Sequence, residues 1–167
     1  MTHYMELLAN NQPWNLLMFM AVPVILAETL AITELYVLLN RSHQGWVHSL
    51  NRVAGITVGL YFIGVIAYLM KTAVLPITLA GEWRTWIDVI AVACYLMGGL
   101  PLIYIAFQEL GWVNAKASEQ DKRTVHATCV ALFLVLGHIA MIAGMMDPSL
   151  LGYEAEHGHG MSMQHGH

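Results

Sequence analysis

Charge is what this sequence has least of. Lysine and arginine number 7 and aspartate and glutamate 11 in 167 residues, so 11% of the chain is charged, where a soluble domain carries about 25%. That scarcity excludes an ordinary water-facing globule. The formal charge of −4 excludes a basic face for nucleic acid. Cysteine is nearly absent as well. Cys94 and Cys129 fall inside long apolar stretches at different expected depths, which predicts two separate small core residues rather than a disulfide framework. No nucleotide loop, nucleophile elbow, zinc-protease helix or paired redox cysteines occur, so hydrolase and ATPase chemistry has no residues to act through and an enzyme is not the expectation.

What the chain has in quantity is apolar surface, 57% of its residues. A helix needs about 20 residues to cross a hydrocarbon core of about 30 Å. Four stretches qualify: Trp14–Leu39, Asn51–Met70, Trp86–Phe107 and His126–Met146. None has the charged outer face that a soluble amphipathic helix requires. The sequence therefore predicts an all-α fold, an integral membrane four-helix bundle. Residues 1–12 are expected to lie at the interface, 13–148 to form the bundle, and 149–167 to be a flexible, disordered tail. No cleavable signal is expected, and the first span should serve as its own anchor.

Orientation follows from basic residues. Arg41, Arg52, Lys116, Lys122 and Arg123 flank the first and third connections, against Lys71 and Arg84 around the second, which predicts both termini on the outer side. In a bacterial inner membrane that side is the periplasm. Trp14, Trp83 and Trp86 at the outer ends of the spans and Trp46 and Trp112 beyond the inner ends fit the same frame as interfacial anchors. Within the spans, Pro23 withholds an amide and crowds the Phe19 carbonyl, predicting a kink. Gly55 and Gly59 predict a close helix approach. The run Gly98-Gly99-Leu100-Pro101 predicts a bend, and residues Gly111–Arg123 a polar loop.

The chemistry-bearing residues begin with the tail. His157, His159, Met161, Met163, His165 and His167 alternate with small and polar residues. Imidazole suits copper, zinc and nickel, whereas thioether selects soft Cu(I), so together they point to copper. A solvated polar end is the plainer reading of the same residues. Inside the spans stand Glu28 and His138. Each lies twelve residues from the inner end of its expected span, about 18 Å at 1.5 Å per residue, so both are expected to meet near mid-bilayer and face the bundle interior. Met141 and Met145 follow His138 on one helix face. The tail would collect the metal, and Glu28, His138 and Met141 would hold it, with Glu34 as a further ligand nearer the inner end.

A second reading uses other histidines. Glu34, His126 and His48 are expected to share an inner polar site, and His48 with His126 offers two imidazoles from different helices, the arrangement a haem b requires. The segment Ser49-Leu50-Asn51-Arg52-Val53-Ala54-Gly55 resembles the one that opens the first membrane helix of the succinate dehydrogenase cytochrome b subunit. That resemblance implies a quinone contact at Ser49 and Arg52. Asn51 stands where the family has histidine, and four spans replace three. A third reading is a non-catalytic membrane anchor or assembly subunit. All three place the chain in a lipid bilayer. A small four-span protein rarely supplies a complete transport path alone, so a homo-oligomer or larger membrane complex is expected.

Overall fold

The structure, a computed structural model, describes residues 11–40, 45–83, 85–114 and 116–146, together with Glu6 and Ala9. Helix α1 begins at Trp14–Leu16, passes through a π-helical turn at Leu17–Ala21 and continues over Val22–Asn40. Helix α2 runs over Trp46–Leu69, takes a second π turn at Met70–Val74 and ends with Leu75–Ala80. Helices α3, Trp86–Glu109, and α4, Glu119–Met145, complete the bundle, with no strand among the described residues. All four are long and apolar enough to cross a membrane. Ile25, Ile32, Leu35, Val53, Ile90 and Val135 lie exposed on their outer faces, as lipid-facing side chains do.

Two boundaries differ from expectation. Helix α2 does not stop at Met70 but carries Lys71 within it and ends at Ala80, where Gly81 at φ 69° supplies a left-handed cap that costs glycine nothing. Helix α4 starts before His126 and shortens the polar loop, because Ser118 caps its N-terminus. Its Oγ accepts from the Asp121 amide at 3.1 Å and donates to Asp121 Oδ2 at 2.7 Å.

Two of the prolines are absorbed in the same way. At the first, the Val22 amide reaches back five residues to the Leu17 carbonyl, and Pro23 has no amide to give. Met18 thereby loses its helical donor, and Phe19 loses the one it would receive in α register. Two tyrosines from other helices replace them. Tyr61 on α2 donates to the Met18 carbonyl at 2.8 Å, and Tyr95 on α3 donates to that of Phe19 at 3.0 Å. The expected kink is thus a one-residue π insertion tied to its neighbours by hydroxyls. Pro76 follows the second π turn at the same offset, after the Leu75 amide has bonded Met70. The run that ends in Pro101 does not interrupt its helix: α3 is continuous from Trp86 to Glu109.

The core joins all four helices through Leu30, Val58, Phe62, Leu102, Ile105 and Val130. Its tightest point is the crossing of α2 and α3. A Cβ built on Gly59 would collide with Ala106 Cβ and lie 2.5 Å from the Leu102 carbonyl oxygen, and one on Gly99 would lie 2.8 Å from Phe62 Cδ1. Gly59 lets the α2 backbone touch that of α3, as the small-residue step predicts, and Gly99 makes room for the Phe62 and Ile66 side chains. Gly59→Ala is accordingly expected to destabilise the protein by about 1–3 kcal/mol, the usual cost of overpacking. Gly64→Ala, which meets nothing within 4 Å, serves as the control. Thermal unfolding of both in detergent checks the difference.

Candidate functional site

The buried stripe of α1 consists of Phe19, Pro23, Ala27, Leu30, Thr33, Glu34 and Val37, spaced by three and four residues. It therefore carries Glu34 into the bundle. On α2 the matching stripe runs Asn51, Ala54, Gly55, Val58 and Phe62, which aims Asn51 at the same place. The Asn51 amide donates to Glu34 Oε2 and to Thr33 Oγ1, both at 3.1 Å. From α4, His126 brings Nδ1 to 2.6 Å from Glu34 Oε2, while its Nε2 lies 3.7 Å from Oε1 of Glu109, the last residue of α3. Neither ring nitrogen makes an aligned hydrogen bond among the described residues. Arg52 closes the cluster outward, with Nε 3.7 Å from Glu109 Oε2 and a guanidinium N–H donating to the Glu109 carbonyl at 3.3 Å.

Glu34 and His126 are among the most enclosed polar residues of the chain, at 6% and 3% exposure. The structure thus puts two of the three expected inner residues together. His48 is exposed on α2 and takes no part, and Ser49 is exposed beside it. With His48 facing out and both nitrogens of His126 facing carboxylates, the two imidazoles do not form the facing pair that a haem b needs. Glu34 likewise has its carboxylate committed to Asn51 and His126 rather than open to a metal. Sequence reasoning missed Asn51 as the partner, although its place at the head of an apolar stripe with a period of three to four was the available signal.

The second polar locus lies nearer the middle of helices α1 and α4. A groove of about 220 Å³ opens between α1 and α4, backed by Phe62 and Tyr95 and lined by Met20, Glu28, His138 and Met141. Glu28 and His138 share this groove, yet both are exposed, so it opens on the flank of the bundle and not into the interior as the sequence reading expected. The reason is angular: Glu28 follows Ala27 and sits off the buried stripe. Met145 is exposed and outside the groove lining.

His138 Nδ1 lies 2.6 Å from the Leu134 carbonyl oxygen. A carbonyl only accepts, so the ring donates from Nδ1 in this contact, and Nε2 is the nitrogen not taken up by it. Glu28 makes no hydrogen bond or ion pair among the described residues. No three His, Cys, Asp or Glu side chains gather as metal ligands among the described residues, so a metal in the groove would need thioether as well as nitrogen and oxygen donors. Met20 and Met141 are among the residues that line the groove. Cys94 and Cys129 are both free thiols. The tail residues His157, His159, Met161, Met163, His165 and His167 lie outside the described residues.

The chain belongs to a family of unknown function (DUF6803), whose family model matches residues 1–160. No curated protein and no solved structure matches it.

Proposed function

We propose that this protein is a copper-binding protein of the bacterial inner membrane, which collects the metal on a periplasmic His/Met tail and holds it in the groove between α1 and α4. The observation that carries this reading is the contact of His138 Nδ1 with the Leu134 carbonyl. A metal-ligating histidine commonly donates its second ring N–H to a carbonyl or carboxylate, which fixes the tautomer and turns the other nitrogen into a ligand. His138 is tied to the Leu134 carbonyl in that way, in a groove it shares with Met20, Glu28 and Met141.

Copper also answers the energetic problem the groove poses. An acidic side chain at the centre of a membrane helix costs on the order of 2.5–3.5 kcal/mol on insertion scales. A cation bound beside Glu28 offsets that cost, and a second copy of the chain over the open flank would remove the groove from lipid. Thioether and imidazole together favour copper over zinc or nickel. Glu34, taken up by Asn51 and His126, is left out of this ligand set.

Titration of the purified protein with Cu(I) tests the proposal. The full chain is expected to bind several equivalents, and a chain ending at Ala155 to retain the groove site alone. Undiminished stoichiometry after truncation would remove the tail from the reading, and complete loss would remove the groove.

A further inference from the structure

We infer that Glu34 and His126 form an intramembrane proton-binding site, loaded from the inner end of the bundle through Glu109. The site is separate from the copper groove and does not depend on that reading.

The inference rests on how few protonation states this geometry tolerates. Glu34 and His126 stand 2.6 Å apart with side chains 8% and 4% exposed. With one labile proton between them they are neutral as a pair, whether it resides on the imidazole or on the carboxyl. Adding a second proton or removing the first leaves a net unit charge in a low-dielectric interior, which is costly without a partner. Among the described residues, Asn51 on α2 donates to Glu34 and to its neighbour Thr33, and Glu109 on α3 faces His126 and is held in turn by Arg52 of α2. Arg52 and Glu109 pair with each other, so the quartet of Glu34, His126, Glu109 and Arg52 balances at zero net charge with that one proton aboard.

The route outward is given by the other ring nitrogen. His126 Nε2 faces Glu109 Oε1 at 3.7 Å, and the Glu109 side chain is 23% exposed. A proton arriving from water on Glu109 passes to Nε2, and the proton on Nδ1 leaves for Glu34. One N–H bond forms as another breaks, and the net result is a single proton moved from Glu109 to Glu34. An imidazole with a carboxylate near each of its two nitrogens suits such a handover. Both nitrogens are enclosed within the bundle.

The test is nitrogen NMR of the full-length, metal-free protein labelled with ¹⁵N-histidine in nanodiscs. The His126 signals are identified by their loss in His126→Asn and followed as pH is varied. The wild-type ring is expected to exchange a labile proton with water, and Glu34→Gln to lower its proton affinity by at least about tenfold, as loss of an adjacent opposite charge does. Glu109→Gln should slow the exchange. The amide oxygen that Glu34→Gln introduces still accepts from Asn51, so folding is expected to survive. Should that variant fail to fold, the wild type alone decides. A His126 ring that stays neutral and unexchanged across the titration overturns the inference, as does a proton affinity unmoved by Glu34→Gln.

Discussion

Replacing Glu34 with leucine is expected to destabilise the protein by about 3–5 kcal/mol, the usual cost of removing one partner from a buried ion pair. The loss has two parts. His126 keeps only the more distant Glu109 at 3.7 Å, and Asn51 loses the carboxylate it donates to at 3.1 Å. Glu34→Gln should cost less, since an amide oxygen still accepts from Asn51. The double variant Glu34→Leu with His126→Leu is expected to recover much of the loss, because two apolar side chains leave no imidazole stranded. Chemical unfolding in detergent checks the series. A double variant as unstable as the sum of the singles would show that the two residues do not act as a pair.

The second large effect concerns binding. His138→Leu is expected to weaken Cu(I) binding in the groove by more than the about 10–100-fold that loss of an outer-shell partner costs, because here the ligating nitrogen itself is removed. Stability should change little, since His138 is exposed and its one bond is to its own helix. Glu28→Gln keeps the shape of the groove and removes its negative charge, so it should weaken binding while leaving the fold intact. Competition titration against a chelator of known affinity separates these variants.

The outcome at Glu28 and Glu34 shows what a sequence of this kind discloses. Counting residues from the helix ends gives depth, because the rise per residue is fixed. Depth alone led to Glu28 and His138 as an interior pair. It does not give the angle around the helix, and in a chain whose helices are apolar on every side no polar face marks the outside. The angle follows only once Phe19, Ala27, Leu30 and Val37 are seen to be the buried side chains. Glu34 then falls on their stripe and Glu28 beside it. The meeting of Glu34 with His126 was legible, since both lie near the inner ends of their spans.

Local chemistry was read unevenly for similar reasons. Gly55 and Gly59 announced the α2 to α3 contact because a missing Cβ has few other uses within a membrane helix. Ser118 and Asp121 carried the capping signature of α4, but the charged residues that follow masked it as loop. The expected end of the second span, Met70, lies short of Pro76, which has no amide to give. The π turn before it supplies the extra residue that lets α2 continue, a solution set by backbone hydrogen bonding and invisible in composition.

Copper in the groove is tested by X-ray absorption at the copper edge, on Cu(I)-loaded protein ending at Ala155 so that no tail ligand contributes. The expected result is a bound copper with mixed nitrogen or oxygen and sulfur neighbours, the sulfur component falling in the Met20→Leu and Met141→Leu variants and the copper itself lost in His138→Leu. A protein that retains no copper, or one whose copper is unchanged by all three substitutions, would contradict it.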